Sequence, residues 1–364
     1  MKRTNSLIAT TLAVALFGLS VAACSGGGDD KVAVKKTTTT TTAGPTTTVP
    51  VPVAPLTGKD DPGGASLKRP AASLKVENTS FARPQAGLDQ ADVVYEEVVE
   101  GQITRLVAIY NSQVPDVIGP VRSVRAMDPD IIWPLGGIFA FSGGTSGNID
   151  AAKAAPVNIV TENNQDVLVR NAPGQPPRDA PHNLYALGPQ LFGMDGDPKP
   201  PQPLFQYFAK GAPGVGAPVL SMHLGFAPTY DPTYVWDGTA RVWRRSVNGG
   251  PHTASNGNQI SPTNVVVQFT NYPNESEGVT VGEGDVWVFS DGTVRMGRWV
   301  RPNHDQPAKY VDGFGQPILL RPGSTWVELL PTGAPVDVEY APVVTTVPPP
   351  TTTVAPTTTT KKKK

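Results

Sequence analysis

Cysteine and histidine are scarce in this chain: one cysteine and four histidines in 364 residues. A lone cysteine excludes an internal disulfide framework and any metal site built from clustered thiolates. His182, His223, His252 and His304 lack the spacing of a histidine-built zinc site. Charge is also sparse, at 17% of residues and a net of −1. Residues 68–341 hold 20 basic and 27 acidic side chains, a net of about −7. That excludes a strongly basic nucleic-acid-binding body, so no nucleic-acid partner is expected. After residue 23 no apolar run is long enough to span a bilayer. What is plentiful is proline (39) and glycine (37), too much of both for a mostly helical protein.

The first 23 residues read as a secretory leader. Met1–Lys2–Arg3 is a positive n-region, and Ser6 to Ala23 is apolar or small throughout. It ends in Val21-Ala22-Ala23-Cys24, which resembles a bacterial lipobox. That resemblance implies acylation of Cys24, with diacylglycerol and palmitate-type chains, and a membrane anchor on the extracytoplasmic face. Residues 24–67 are expected to be a disordered stalk, because Thr37–Thr42, Thr46–Thr48 and the Val-Pro alternation up to Pro55 offer little surface to bury. Residues 342–364 repeat the Thr/Pro theme and end in Lys361–Lys364, a cluster suited to anionic lipid or wall polymer.

Between these segments the sequence predicts an α+β protein. A mixed α/β N-terminal domain (68–215) is followed by a smaller β-rich C-terminal domain (216–341). In the first, Ala71–Val76, Ala91–Val99, Arg105–Tyr110 and Gly137–Phe141 read as strands. Asn148–Ala155 reads as a short helix capped by Ser146 or Asn148. In the second, alternating runs are separated by Asp237-Gly238, Asn248-Gly249, Asn256-Gly257 and Asp291-Gly292. Val286–Val300 is predicted as a hairpin turning at Asp291-Gly292. Trp236, Trp243, Trp287, Trp299 and Trp326 are expected in or beside a sheet core, with a sugar-stacking surface as the alternative.

Several strings then become recognisable. They are Arg83-Pro84-Gln85-Ala86-Gly87-Leu88, Ala91–Glu96, Glu100–Arg105, Ile118-Gly119-Pro120-Val121-Arg122-Ser123-Val124-Arg125 and Pro181-His182-Asn183-Leu184-Tyr185. In the second unit come Asn264–Gln268, Gly284–Gly292 and Arg321–Val327. Together they resemble the YerB-like bacterial lipoprotein family, domain of unknown function 3048, and cover most of residues 68–332. The resemblance implies a two-domain lipoprotein, which Cys24 fits, but no established activity. A partial resemblance to the LytR–CpsA–Psr phosphotransferases places Asp92, Arg122 and Arg125 at analogous positions. Here Pro120-Val121-Arg122-Ser123 replaces the usual Pro-Arg-Asp.

The candidate chemistry follows from residue type. Arg122 and Arg125 carry fork-shaped donors suited to phosphate or carboxylate, or pair with Asp128, Asp130, Glu96 or Glu100. Gly143, Gly144 and Thr145, between a strand and a helix, could form an anion nest or a plain turn. Asp92 and Glu96, expected to share a strand face with Glu100, are candidate catalytic or Mg²⁺-binding carboxylates, or partners for nearby arginines. His182 with Asp179 is a candidate acid/base, or a loop histidine capping the backbone. Three functions are consistent with this set: a lipid-anchored envelope protein binding an anionic ligand such as a polyprenyl phosphate or wall glycopolymer, a metal-dependent phosphotransferase, and a surface scaffold for a protein partner.

Overall fold

The computed structural model describes residues 51–342, apart from positions 197, 228, 229 and 275. The leader, Cys24, most of the Thr/Pro stalk and the lysine tail lie outside the described residues. In the first half the chain forms β1 (Ala72–Glu77), β2 (Val93–Val99), β3 (Ile103–Tyr110), β4 (Val117–Ile118), α1 (Asp128–Ile132), β5 (Ile138–Ala140), α2 (Ser146–Ala154), β6 (Asn158–Val160), β7 (Leu168–Arg170), β8 (Leu184–Leu187) and α3 (Gly188–Phe192). The second half adds β9 (Ala217–Leu224), β10 (Pro232–Asp237), β11 (Val242–Val247), β12 (Gly250–Pro251), β13 (Asn264–Thr270), β14 (Gly282–Ser290), β15 (Thr293–Arg301), β16 (Lys309–Val311), β17 (Thr325–Pro331) and β18 (Val336–Tyr340).

The fold is therefore mostly β, and the expected mixed α/β first domain is not confirmed. Its α-helices are short because prolines and glycines punctuate them. Pro129 and Pro189 sit in the first turns of α1 and α3, and α2 stops at Ala155, just before Pro156. The cap of α2 is Thr145 rather than Ser146 or Asn148, since its hydroxyl accepts from the Asn148 N–H at 3.2 Å.

Local turn chemistry behaved as the sequence predicts. β14 and β15 pair antiparallel from Gly282–Arg301 to Ser290–Thr293. Asp291 and Gly292 between them have φ of 54° and 73°, the positive values a two-residue hairpin of this twist requires. β2 and β3 also form a hairpin, reversing at Gly101 (φ 74°).

Strand pairing runs across the boundary expected at 215/216. The order is β15-β14-β13-β17-β2-β3-β1-β5-β6, and β17 lies between β13 and β2, parallel to both. Such a strand is covered on both faces, which is why Thr325–Leu330 is buried throughout. β9–β12, with β18, form a layer joined to β15 by two residue pairs. This layer sets Tyr234 and Trp243 against Val265, Val267 and Phe289 in one apolar cluster.

Residues 51–67, expected as part of a stalk over 24–67, pack on the body instead. Leu56 is fully buried in the main core, its carbonyl accepts from the Tyr207 hydroxyl at 2.6 Å, and the Thr57 carbonyl accepts from the Gly323 N–H at 2.8 Å. A single leucine in a Pro-rich string, with a cleft to enter, anchors residues 51–67 to the body. No helix among the described residues is long and apolar enough to cross a membrane.

Candidate functional site

Arg122, Arg125, Gly143, Gly144 and Thr145 are brought together by backbone pairing. The Arg122 N–H donates to the Lys75 carbonyl of β1, the Ser142 N–H to the Arg122 carbonyl, and the Val124 N–H to the Gly143 carbonyl. Residues 122–124 are thus stitched between β1 and the glycine loop that opens α2. The loop needs glycine: Gly143 has φ +71°, and a Cβ on Gly144 would sit 2.6 Å from Val124 Cγ1.

A third arginine joins them that sequence reasoning missed. Arg105 of β3 is 7% exposed and donates to the Ser123 carbonyl at 3.1 Å. Arg125 donates to the same carbonyl at 3.2 Å. Burial, then the positive charges of Arg125 and Arg122, pushes the Arg105 guanidinium down to about 10. Like charges so close depress one another, which marks the cluster as positive inside an acidic protein. Arg125 pairs with the half-exposed Glu100 at 2.8 Å. Arg122 stands 3.6 Å from Glu77, and its buried Nε has no hydrogen-bond partner. The signal for Arg105 was its place in Arg105–Tyr110, a strand otherwise apolar.

His182 adjoins this cluster, but through Glu77 rather than Asp179. Its Nδ1 is 2.8 Å from Glu77 Oε1, while Asp179 offers only its backbone carbonyl, to the His182 N–H. The exposed ring of Phe81 lies 5.3 Å from the imidazole. On the inner side, fully buried Lys75 pairs with Glu97 and with Asp128, the latter at 2.7 Å. Burial brings the Lys75 amine down to about 8, against the opposing pull of Asp128.

Asp92 and Glu96 do not join this group. Asp92 Oδ2 accepts from the Asn111 and Ser112 N–H groups, both at 2.6 Å, and Oδ1 accepts from the Ser112 hydroxyl. It fastens the end of β3. Nor does Glu100 share the Glu96 face as expected. The strand ends at Val99, and the turn at Gly101 carries Glu100 to the Glu97 side, where Arg125 meets it. Among the described residues no three His, Cys, Asp or Glu side chains are grouped to hold a metal ion.

Glu96 belongs to a second, wholly buried constellation. Its Oε1 accepts from Asn78 at 2.9 Å and Thr104 at 2.6 Å, and its Oε2 accepts from Arg245 at 2.6 Å. Arg245 of β11 also donates to the hydroxyls of Tyr230 at 2.7 Å and Tyr234 at 2.9 Å, and its Nη1 lies 2.5 Å from His252 Nδ1. The guanidinium carbon stands 4.5 Å from the Trp326 ring centroid. Tyr234 in turn donates to Glu328 of β17, which is in register with Glu96. Burial, then the charge of Glu96, holds the Glu328 carboxyl well above the usual range. Burial likewise keeps His252 neutral, helped by Arg245. One guanidinium therefore serves two carboxyl groups, bonding to Glu96 directly and reaching Glu328 through the Tyr234 hydroxyl. The sequence does carry a trace of this: Trp243, Arg245 and Val247 alternate onto one face, and Glu328 interrupts an apolar run. Trp243, Trp299 and Trp326 are core residues, so they offer no sugar-stacking surface, while Trp236 and Trp287 are half-buried.

Comparison with known proteins gives the family. Residues 56–194 match the description "Protein of unknown function (DUF3048) N-terminal domain", and residues 222–327 match the corresponding C-terminal domain. The chain belongs to this DUF3048 family. It is similar to YerB of Bacillus subtilis (strain 168), a protein whose name includes the word lipoprotein, with 51% identity over 72 residues. That stretch is 20% of this chain and 22% of the relative. The crystal structure of the YerB protein from Bacillus subtilis has a similar fold, with a TM-score of 0.67 at 24% identity, covering 78% of this chain and 99% of that one.

Proposed function

We propose that this chain is an extracytoplasmic lipoprotein, anchored through Cys24, that binds an anionic envelope ligand at Arg105, Arg122 and Arg125. A polyprenyl phosphate or the phosphate or carboxylate groups of a wall glycopolymer supply the matching chemistry. The observation that carries the reading is the meeting of the Arg105 and Arg125 guanidinium groups on the Ser123 carbonyl, beside a glycine loop, with the charge of Arg122 close enough to act on Arg105 and its Nε lacking a hydrogen-bond partner. In a body of net charge about −7, such a group attracts anions selectively. The lipobox-like Val21–Cys24 and the name of the Bacillus subtilis relative support the anchor.

The test is calorimetric titration of the chain with a short-chain polyprenyl phosphate and with purified anionic wall glycopolymer. Saturable binding is expected, reduced at least about tenfold in Arg122→Ala/Arg125→Ala, since each hydrogen bond to a charged group contributes about 1.5–3 kcal/mol. Equal binding by the variant refutes the assignment. The Arg125–Glu100 and Arg122–Glu77 contacts favour a second reading, a surface scaffold in which these arginines are structural. That reading expects no small-anion binding and a loss of stability in the same variant. For the anchor, Cys24→Ala is expected to move the protein from the membrane to the soluble fraction.

A further inference from the structure

The loop after Leu204 and the β10–β11 and β16–β17 connections enclose a cavity of about 210 Å³ on another part of the body. Lys210, Arg241 and Arg321 line it together with Phe208 and Pro322. Its two guanidinium groups are tied to one shared carboxylate. Asp291, at the β14–β15 turn, accepts on one oxygen from Arg241 Nε at 2.8 Å and from Arg321 Nη1 at 3.1 Å. The other oxygen accepts from the Gly214 N–H at 2.8 Å. Burial would raise this carboxyl, but the bonds from Arg241, Gly214 and Arg321 hold it below its ordinary range. The Arg321 backbone is fixed too: its N–H donates to Ser290 Oγ at 2.9 Å and to Asn264 Oδ1 at 3.2 Å. Arg241, with φ +56°, immediately precedes β11.

One carboxylate thus orients two guanidinium groups and neutralises only one of them. Lys210 at the rim is 86% exposed and touches Asp60 at 2.5 Å. The remaining guanidinium N–H groups border a recess whose walls are the half-buried Phe208 ring and Pro322. Forked donors select a planar or tetrahedral oxyanion. An aromatic wall beside them selects a ligand with an apolar ring face, as a pyranose has, and the volume admits about one such ring.

We infer that this pocket is a binding site for an anionic sugar unit, a pyranose bearing phosphate or carboxylate. The oxyanion meets Arg241 and Arg321 and the ring lies on Phe208. The site is separate from the Arg105–Arg122–Arg125 cluster and shares no residue with it. Two anion sites on one body suit a ligand that repeats its charge, as a wall glycan does, whereas a free sugar phosphate would occupy this pocket alone.

The experiment titrates the full chain with inorganic phosphate, glucose 1-phosphate and purified anionic wall glycan, in wild type and in the Arg122→Ala/Arg125→Ala background. Glucose 1-phosphate is expected to bind saturably in both backgrounds and more tightly than inorganic phosphate. Arg241→Ala/Arg321→Ala is expected to weaken it at least about tenfold, and Phe208→Ala to weaken glucose 1-phosphate but not inorganic phosphate. Removing both arginines leaves Asp291 uncompensated and can unfold the turn. Lys210→Glu on the exposed rim and Arg321→Lys, which keeps the charge but loses the fork, supply the same test in folded protein. Each is expected to weaken binding several-fold. Retention of the glycan as well as glucose 1-phosphate assigns the site to a polymer-borne sugar, and retention of glucose 1-phosphate alone assigns it to a free one. No saturable glucose 1-phosphate binding, or binding unchanged in Lys210→Glu and Arg321→Lys, overturns the inference.

Discussion

Replacing Arg245 by methionine is expected to be among the most damaging single changes in this protein. The side chain is fully buried, and it is the only cation within salt-bridge distance of Glu96 among the described residues. Methionine fills comparable volume but donates nothing. Glu96 Oε2 then loses its donor at 2.6 Å, and Tyr230, Tyr234 and His252 each lose one contact. Removing one partner of a buried pair costs about 3–5 kcal/mol, because the other charge is left without compensation. For a body of this size each kcal/mol moves the midpoint by about 2–4 °C, so Tm is expected to fall by roughly 10 °C. Urea and thermal unfolding followed by tryptophan fluorescence measure it, with Trp326 stacked on the altered site. The double variant Glu96→Gln/Arg245→Met removes the stranded charge while keeping an acceptor for Asn78 and Thr104. It is expected to recover about half of the loss. A cost below about 1 kcal/mol for Arg245→Met, or no recovery in the double variant, would show that the hub does not depend on this charge balance.

Glu328 gives a pH signature. Its folded carboxyl titrates above the unfolded one, so the folded state binds the extra proton, and stability falls as pH rises from about 4.3 through the folded value. Glu328→Gln, which still accepts from Tyr234, is expected to flatten that decline. Equal slopes of unfolding free energy between pH 5 and pH 9 in both proteins would refute it. Leu56→Ala is expected to cost about 2–5 kcal/mol, as a fully buried leucine should. A change within about 0.5 kcal/mol would instead mean that residues 51–67 are a solvated stalk.

Legibility in the sequence followed range. Asp291-Gly292 announced its hairpin because a positive φ is a property of one or two residues. Strands β2 and β3 were readable from composition as Ala91–Val99 and Arg105–Tyr110, within two residues of their observed starts at Val93 and Ile103. The Gly143–Thr145 loop was readable as a strand-to-helix turn, but its contact with residues 122–124 was not. Short strands such as β6, β7 and β8 went unseen, because three or four residues carry too little periodicity. The assignment of Asp92 and Glu96 as candidate catalytic carboxylates rested on residue type alone. Their partners, Ser112 and Arg245, lie 20 and 149 positions away.

By itself, then, the sequence determined the Asp291-Gly292 hairpin and the acidic charge of the body, which depend on neighbouring residues and composition, and it set the expectation of a secretory leader ending at Cys24. Only the tertiary structure decided that β17 enters between β13 and β2. That insertion sets Glu328 beside Glu96, and the packing of β11 over them supplies Arg245. Parallel pairing of distant strands leaves no local mark, since its hydrogen bonds join backbone groups common to every residue. The same holds for the cationic recess at Arg241 and Arg321, which exists only because one aspartate at a hairpin tip reaches both.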